Sequence, residues 1–232
     1  MAGDDLWSTL QQLSRSIECR TVFDVGAHQG GLTEWFLQNF PNSTIYAFEP
    51  DPRNFEALFR KVQTQSRVHP VQIALSNETG SRDFHLGTAD YTSSLFPRAK
   101  TGRRYFRRDH IMAATARVVT ETLDNFCAGR VERIDILKLD TQGSELDILR
   151  GSTGLLSSGS ISIIVSEFFF IPHYQGVPLL DEIWTHLRSF GYELFDLFKG
   201  PHGSNGQIRY GDAIFGSPEF RRGILNVTPD EP

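Results

Sequence analysis

The stretch TVFDVGAHQGG at residues 21–31 decides the fold class. A short apolar strand runs into an acid, Asp24, and then into a loop that contains Gly26, Gly30 and Gly31. In open α/β sheets such a loop lies at the carboxyl edge of the sheet, where ligands bind. The stretch therefore predicts an α/β domain that holds a ligand on this loop.

Strand-like and helix-like segments alternate after the loop, which predicts a mostly parallel sheet with helices on both faces. The helical segments include EPDPRNFEALFRKV, with Asp51 as N-cap and Pro52 in the first turn, and SELDILRGSTGLL. No helix separates the last two strand-like segments, YELFDLF and DAIFGS, so we expect them to pair antiparallel. The region between the third and fourth main strands is less regular, with one short strand near ARVVTETL.

The chain divides into one main domain and two short ends. Apolar residues at helical spacing, from Leu6 to Ile17, predict an amphipathic helix in residues 1–20. We expect residues 21–220 to form a single domain and residues 221–232 to form a C-terminal tail. A chain of 232 residues is long enough to bury the core that this architecture needs.

Composition argues against several classes of protein. The net charge of −5 gives no overall attraction to nucleic acids or acidic membranes. The opening MAGDDLWSTLQQL has neither the basic start nor the apolar middle of a signal peptide, and ISIIVSEFFFI is too short to span a bilayer. The two cysteines, Cys19 and Cys127, make neither a disulfide framework nor a zinc site. We therefore predict a cytoplasmic protein with no membrane partner.

Two acidic residues bear on which ligand the loop holds. Glu49 ends the second strand, where an acid can take the ribose hydroxyls of an adenosine cofactor. Asp24 precedes the loop, and a carboxylate about 4 Å from a pyrophosphate charge would repel it by roughly 4 kcal/mol at an effective dielectric near 20. The loop also lacks the middle glycine of the dinucleotide motif G-x-G-x-x-G. Both features favour S-adenosylmethionine (SAM), which is cationic and has no phosphate, over NAD; the alternative is that Asp24 only caps a turn.

Five motifs of the chain resemble those of the FkbM-type SAM-dependent methyltransferases and occur in the same order. They are VFDVGAHQGGLTEWF, IYAFEPDPRNFEAL, IALSNETGSRDFHL, TLDNFC and ILKLDTQGSELDILRG, and the resemblance covers residues 21–215. It implies the Rossmann-like fold of class I methyltransferases, a three-layer sandwich whose mostly parallel seven-stranded sheet has an antiparallel last strand. It also implies methylation of a hydroxyl group on a sugar, a glycan or a natural product.

The resemblance further implies where the cofactor binds. The methionine part of SAM would face the glycine loop, the ribose would meet the acid that ends the second strand, and the adenine would lie beside the third strand. The implied residues are Asp24, Gly26, Ala27, His28 and Gly30 for the methionine part, Glu49 with Asp51 close by for the ribose, Ala74 and Leu75 for the adenine, and Ser93 and Ser94 near the cofactor.

Two positions depart from the pattern of that family. His28 stands where the family commonly has asparagine, and Gln142 stands where it commonly has glutamate. Gln142 can act neither as a base nor as a carboxylate ligand. With Gln142 in place of an acid, the loop after Asp140 holds no acid-x-acid pair, and we predict no metal site.

Methylation of an alcohol calls for a base, since the hydroxyl loses its proton during or after attack. Asp140 ends a strand at the same edge as Asp24 and Glu49, and a histidine such as His173 ordinarily has a pKa of about 6.5. Glu167 interrupts an apolar strand, which is costly unless its carboxylate is paired or faces a cleft. We predict that Asp140 or His173 is the base and that Glu167 orients one of them. Each residue also has an alternative role. Asp140 could cap a helix or orient the ammonium group of SAM, His173 could be a surface histidine, and Glu167 could make a structural hydrogen bond.

A basic segment at residues 98–108, RAKTGRRYFRR, interleaves arginines with aromatic residues. Its composition favours a solvated loop, but it could instead hold an anionic acceptor, such as a phosphorylated or nucleotide-linked sugar, or touch RNA. The function that the sequence favours is SAM-dependent O-methylation of a small-molecule or glycan acceptor. The alternatives are an NAD(P)-dependent oxidoreductase and a non-catalytic RNA-binding protein, although nucleic acid is not the expected partner.

Overall fold

The computed structural model describes residues 5–99 and 112–227. Within these ranges the chain forms ten strands and eight α-helices. The strands are β1 (Thr21–Val25), β2 (Thr44–Phe48), β3 (Val68–Val71), β4 (Ala74–Leu75), β5 (Gly80–Gly87), β6 (Met112–Glu121), β7 (Ile134–Leu139), β8 (Ile161–Phe169), β9 (Glu193–Lys199) and β10 (Tyr210–Gly216). The helices are α1 (Leu6–Ser14), α2 (Gly31–Asn39), α3 (Pro52–Val62), α4 (Leu123–Cys127), α5 (Glu145–Arg150), α6 (Thr153–Ser157), α7 (Leu180–Ser189) and α8 (Pro218–Val227).

The main sheet has seven strands in the order β3-β2-β1-β7-β8-β10-β9. The pairs from β3 to β8 are parallel, whereas β10 runs antiparallel to both of its neighbours, β8 and β9. The predicted seven-stranded, mostly parallel sheet with an antiparallel last strand is therefore confirmed. Strand order reverses between β1 and β7, which places a ligand-binding crevice at their carboxyl ends.

Helices cover both faces of the main sheet. Neighbouring residues in a strand point to opposite faces, so each strand packs against both helix layers. Val22 of β1 lies in a buried cluster with α1 and α2, represented by Leu10 and Phe36. Phe23, the next residue, lies in a second buried cluster with α4–α7, represented by Leu149. The two clusters make the predicted three-layer sandwich.

A second sheet of three strands, β4-β6-β5, goes beyond the single short strand expected in this region. β5 and β6 pair antiparallel along most of their length, but on β6 only Val118 and Thr120 are buried. Half-exposed strands carry few apolar residues, so their sequence lacks the run that marks a buried strand. This sheet matters for function because Phe84 of β5 and both residues of β4 reach the ligand crevice.

Two helical segments differ from the expectation. SELDILRGSTGLL forms two helices, α5 and α6, which are separated at Gly151, the C-cap of α5; a Cβ at Gly151 would lie 2.1 Å from the carbonyl oxygen of Ser76. The expected boundary at residue 220 falls inside α8, which buries Phe220 in the same cluster as Leu10 of α1. The helices at both ends of the described chain therefore pack on the main sheet.

Candidate active site

A cavity of about 320 Å³ lies at the carboxyl edge of the main sheet, next to the reversal of strand order. β1, β2, β7 and β8 end near it, and β4 and the start of β10 contribute to its wall. The predicted site residues that line it are Gly26, His28, Glu49, Ala74, Leu75, Ser93, Asp140 and Glu167. The predicted residues that do not are Asp24, Ala27, Gly30, Asp51, Ser94 and His173.

The glycine loop is held tightly between the ends of β2 and β7. The N–H groups of Gly26 and Ala27 both donate to the carbonyl oxygen of Phe48, at 3.0 and 2.9 Å. Gly26 has a φ of +78°, and a Cβ there would lie 1.9 Å from the carbonyl oxygen of Asp140. Only glycine fits this position, since any side chain would displace the loop that carries Asp140. Gly30 serves as the N-cap of α2 and shapes the loop without reaching the cavity.

Two non-glycine residues of the described chain have a left-handed backbone, and both line the cavity. They are His28, with a φ of 52°, and Gln142, with a φ of 59°. This conformation costs a non-glycine residue on the order of 1–3 kcal/mol, and such strain is concentrated at functional sites. Its coincidence with the cavity supports a functional role for these two loops.

Asp24 does not face the cavity, contrary to the expectation. Its side chain is fully buried, accepts a hydrogen bond from Thr33 at 2.6 Å and lies 3.1 Å from Nζ of Lys138. Lys138 stands opposite Asp24 in the register of β1 and β7 and donates to the carbonyl oxygen of Gly26 at 2.9 Å. Burial alone would lower the pKa of Lys138, but the charges of Asp24 and Asp140 outweigh it and raise that pKa. The Asp24 charge is therefore balanced inside the protein, and the pair anchors the glycine loop.

Glu49 presents a carboxyl group that two backbone N–H groups hold in place. Its Oε2 accepts from His28 and its Oε1 from Asp51, both at 2.8 Å. Burial raises the pKa of Glu49 to about 7, against the opposing effect of these hydrogen bonds. Asp51 is itself buried and caps α3 by accepting the N–H of Arg53 at 3.0 Å, as predicted. Asp51 thus positions Glu49, whose remaining lone pairs can accept hydrogen bonds from a ligand.

Part of the cavity wall is apolar. Ala74 and Leu75 of β4 belong to it, together with Phe48, Ile73 and Phe84. A wall of this kind suits the flat, largely apolar faces of an adenine ring.

The two adjacent serines predicted near the cofactor have different roles. Ser93 lines the cavity, and its hydroxyl donates to Asp51 at 3.2 Å. Ser94 does not line the cavity; its hydroxyl donates to the backbone carbonyl of Gln142 at 2.7 Å. Ser94 therefore supports the strained loop from behind.

Gln142 joins the carboxyl groups of Asp140 and Glu167. Its Nε2 donates to Asp140 at 3.3 Å and to Glu167 at 3.0 Å. Its Oε1 accepts the hydroxyl of Tyr174 at 2.8 Å, and because Tyr174 supplies the donor, the amide nitrogen must face the acids. A glutamate at this position would have no such donor for the two carboxyl groups.

Burial raises the pKa values of the acids that surround Asp140. Burial raises the pKa of Glu167 well above its ordinary value, and the charges of Asp140 and Glu145 add to the effect. Asp212 stands opposite Glu167 in the register of β8 and β10, and burial, followed by the charge of Asp140, raises its pKa to about 7. Asp140 differs from these neighbours in being open, with 46% of its side chain exposed. It is the carboxyl group of this cluster that an acceptor can best reach.

His173 does not line the cavity, and its pKa does not suit a base. The ring packs against Phe169 and Tyr210, with centroids 4.7 and 5.6 Å away. Burial, followed by the charges of Arg98 and Arg209, lowers the pKa of His173 to about 3. The imidazole therefore stays neutral behind Tyr210, and the prediction of His173 as the base is corrected on this ground.

Several residues of the site were not predicted from the sequence. Lys138 could have been predicted from the sequence, because a charged residue within the apolar strand IDILKLD needs a partner. The same reasoning applies to Glu167 in its own strand. Tyr210 and Asp212 could not have been predicted, because only the pairing of β10 with β8 places Tyr210 at the cavity and Asp212 opposite Glu167.

The structure also bears on the metal, membrane and basic-segment predictions. In residues 5–99 and 112–227, no cluster of three or more His, Cys, Asp or Glu side chains is arranged to hold a metal ion. No helix in the same residues combines the length and apolarity that crossing a bilayer requires. Of the basic segment at 98–108, Arg98 and Ala99 belong to the described residues, and positions 100–108 lie outside them.

Comparison with known proteins identifies the family. The family model described as "Methyltransferase FkbM domain" matches residues 24–194. The chain belongs to the FkbM methyltransferase family. The resemblance seen in the sequence motifs is confirmed, and SAM is the cofactor.

Two curated relatives carry informative names. The chain is 27% identical to the 2-O-methyltransferase NoeI of Sinorhizobium fredii over 195 residues, covering 81% of this chain and 77% of NoeI. It is 25% identical to the hexuronic acid methyltransferase AglP of Haloferax volcanii over 153 residues, covering 66% of this chain and 58% of AglP.

Solved structures support the fold. The methyltransferase FkbM of Methylobacillus flagellatus KT superposes with a TM-score of 0.54 at 14% identity, covering 86% of this chain and 44% of that protein. The magnesium protoporphyrin IX methyltransferase of Synechocystis PCC 6803, solved with bound SAM, has a TM-score of 0.50 at 11% identity and covers 91% of this chain and 77% of that protein. These likenesses confirm the class I methyltransferase fold of this FkbM-family chain.

The cavity of this FkbM-family chain fits SAM. The glycine at position 26 leaves the backbone open where a side chain would clash, Glu49 offers a held carboxyl group, and the wall around Leu75 is apolar. The family match sets aside the NAD(P)-dependent oxidoreductase that the glycine loop left open.

Proposed function

We propose that this chain transfers the methyl group of SAM to a hydroxyl group of a sugar or glycan. The observation that carries the proposal is one cavity that is lined by the glycine loop, by Glu49 and by the partly exposed Asp140. The relatives NoeI and AglP, whose names specify 2-O-methylation and a hexuronic acid, support a sugar-like acceptor. We extend the proposal to an anionic acceptor and to a reaction in the cytoplasm. The free thiols of Cys19 and Cys127 support the cytoplasmic location.

The cofactor half of the cavity would hold SAM through its lining residues. Glu49 would accept the ribose hydroxyls, and Ala74 and Leu75 would pack against the adenine. Gly26 and His28 would lie along the methionine part. Asp24, Ala27, Gly30, Asp51 and Ser94, which lie behind the cavity surface, would act by fixing these groups.

The acceptor half would align the hydroxyl and take its proton. When bound, SAM supplies an electrophilic methyl group on a sulfonium, which is a good leaving group. Holding the acceptor in line can contribute about 7–11 kcal/mol to lowering the barrier. Asp140 would accept the hydroxyl proton at a carboxylate oxygen, while Gln142 and Glu167 would fix the orientation of that carboxylate.

The elevated pKa of Glu49 predicts that cofactor affinity depends on pH. An ionised Glu49 accepts two hydroxyl donors, and protonation removes part of this capacity. Because the pKa is about 7, the ionised fraction falls from about 90% at pH 8 to about 10% at pH 6. We expect the Kd of S-adenosylhomocysteine, measured by calorimetry, to rise about tenfold over that range.

Glu49→Gln provides the control for this prediction, because it keeps the shape of the side chain and cannot ionise. We expect this variant to bind S-adenosylhomocysteine more weakly and to lose most of the pH dependence. A pH dependence of equal size in Glu49→Gln would show that another group is responsible.

The proposed function is tested by labelling. Incubation with methyl-labelled SAM and a panel of sugars, uronic acids and sugar phosphates should yield a product heavier by one methyl group on an oxygen. S-adenosylhomocysteine at 100 times its Kd should add about 2.7 kcal/mol to the free energy of unfolding and so raise the Tm, whereas NADH should leave the Tm unchanged. Binding of NADH in place of S-adenosylhomocysteine, or salt-sensitive binding of RNA with no methyl transfer to any acceptor, would contradict the proposal.

A further inference from the structure

One buried tyrosine is hydrogen-bonded to the site without lining the cavity. Tyr174 is fully buried, with the guanidinium carbon of Arg98 4.5 Å and the ring centre of Phe169 6.0 Å from the centre of its ring. Its hydroxyl donates to Oε1 of Gln142 at 2.8 Å, and the carbonyl oxygen of Thr92 lies 3.3 Å from the same hydroxyl. A hydroxyl has one hydrogen to donate, and the shorter contact takes it.

The hydroxyl of Tyr174 is a permanent donor to this amide. Burial raises the pKa of Tyr174 above its ordinary value, against the opposing charge of Arg98. The hydroxyl therefore keeps its proton at neutral pH. Because Oε1 of Gln142 accepts this proton, the NH₂ group is the end of the amide that faces Asp140 and Glu167.

The backbone of Gln142 is fixed as well. Its φ of 59° is one that a non-glycine residue keeps only where its surroundings enforce it. The hydroxyl of Ser94 donates to its carbonyl oxygen at 2.7 Å. The next residue, Gly143, packs so closely on Val177 that a Cβ there would lie 2.7 Å from Cγ2 of that valine. Ser94 and Val177 thus hold the loop, and Tyr174 holds the side chain.

The amide nitrogen of Gln142 contacts two acids at once. It carries two hydrogens and lies 3.3 Å from Oδ1 of Asp140 and 3.0 Å from Oε2 of Glu167. Without the hydroxyl of Tyr174, Oε1 would lose its donor, and the amide could turn towards water in the cavity and give up a carboxyl group. The orientation of Asp140 therefore depends on a hydroxyl that is one side chain away from it.

We propose that Tyr174 is a positioning residue for methyl transfer: its hydroxyl fixes the amide of Gln142, and that amide fixes the carboxylate of Asp140 for the acceptor. The inference rests on the proposed function, in which Asp140 takes the proton of the acceptor hydroxyl. Because Tyr174 does not line the cavity, its hydroxyl should affect kcat and leave the binding of the acceptor and of SAM in place.

The experiment compares two tyrosine-to-phenylalanine variants of the whole protein. Tyr192→Phe is the matched control for Tyr174→Phe, because Tyr192 is also fully buried and donates to the carbonyl oxygen of Ile161 at 2.6 Å without lining the cavity. We expect both variants to lower the Tm by a similar amount. Only Tyr174→Phe should lower kcat, by about tenfold, with the acceptor KM and the Kd of S-adenosylhomocysteine within about twofold. Tenfold corresponds to about 1.36 kcal/mol, which is within the net contribution of one hydrogen bond.

A cycle with Gln142→Met tests whether Tyr174 acts through the amide. Methionine has a similar length and no amide group, and the hydroxyl of Tyr174 can then donate to Thr92. We expect Gln142→Met to lower kcat by about tenfold or more, and the further change Tyr174→Phe to lower it by less than about twofold. Effects that multiply in the double variant would overturn the inference, as would an unchanged kcat in Tyr174→Phe.

Nuclear magnetic resonance supplies a readout that does not need an acceptor. In protein labelled with ¹⁵N-glutamine, the side-chain signal that Gln142→Met removes belongs to Gln142. We expect its NH₂ hydrogens to exchange with water at least about tenfold more slowly than those of the exposed Gln65, and this protection to be lost in Tyr174→Phe and kept in Tyr192→Phe. Protection that survives in Tyr174→Phe would overturn the inference. Absence of methyl transfer by the unmodified protein would instead count against the proposed function.

Discussion

We expect Asp140→Asn to lower kcat by about 10²–10⁴-fold, which is the contribution that a positioned base typically makes. Asparagine keeps the size of the side chain and can still accept the hydrogen bond from Gln142, but it cannot take the proton of the acceptor hydroxyl. The Kd of S-adenosylhomocysteine should change little, because Glu49 and the glycine loop remain in place. The measurement is the rate of label transfer from methyl-labelled SAM to the acceptor found in the labelling screen.

Asp83→Asn is the control for this loss. Asp83 lies on β5, its side chain is 61% exposed, and it pairs with Arg117 away from the cavity. We expect its kcat to equal that of the unmodified protein. If Asp140→Asn retained full kcat while His173→Gln lost it, the base would be His173 after all, despite the burial that depresses its pKa.

Lys138→Met should lower the free energy of unfolding by about 3–5 kcal/mol, the cost of leaving a buried charge without its partner. The substitution removes the cation that faces Asp24 at 3.1 Å and the donor to the carbonyl oxygen of Gly26. Methionine has a similar length, so the loss reports the charge and not a cavity. The measurement is urea unfolding followed by circular dichroism.

Two further variants test whether loss of the ion pair causes the destabilisation. Asp24→Asn combined with Lys138→Met should recover at least half of the loss, because the uncompensated carboxylate is gone while an acceptor for Thr33 remains. Lys61→Met breaks an exposed ion pair with Glu34 and should cost less than about 1 kcal/mol. A double variant as unstable as Lys138→Met alone would mean that the ion pair is not what anchors the loop.

The cofactor half of the site could be predicted from the sequence because its determinants are local. The glycine loop and Glu49 each follow a strand whose apolar residues are contiguous, and the carboxyl ends of parallel strands meet at one edge. Asp51 and Pro52 likewise marked the start of α3. Patterns of this kind are contained within a dozen residues.

The electrostatics could not be predicted, because they depend on contacts between distant segments. Asp24 and Lys138 are more than 100 residues apart, and only the register of β1 with β7 shows that one charge cancels the other. His173 looked like an ordinary surface histidine until its burial among Phe169, Tyr210 and two arginines was known. The sequence identified Asp24 as the acid that precedes the glycine loop. It did not show that Lys138 balances the Asp24 charge inside the protein.

The insertion of β10 between β8 and β9 has a consequence for how the protein is made. The cofactor half is built from β1–β4 and is encoded first, whereas Tyr210 and Asp212 arrive on the last strand to leave the ribosome. At a synthesis rate of about 5–20 residues per second, the 41 residues from the end of β8 at Phe169 to the start of β10 at Tyr210 take roughly 2–8 s to emerge. During that interval β8 exposes an unpaired edge. A nascent chain of this protein therefore offers an aggregation-prone surface until its final strand closes the sheet and completes the acceptor half.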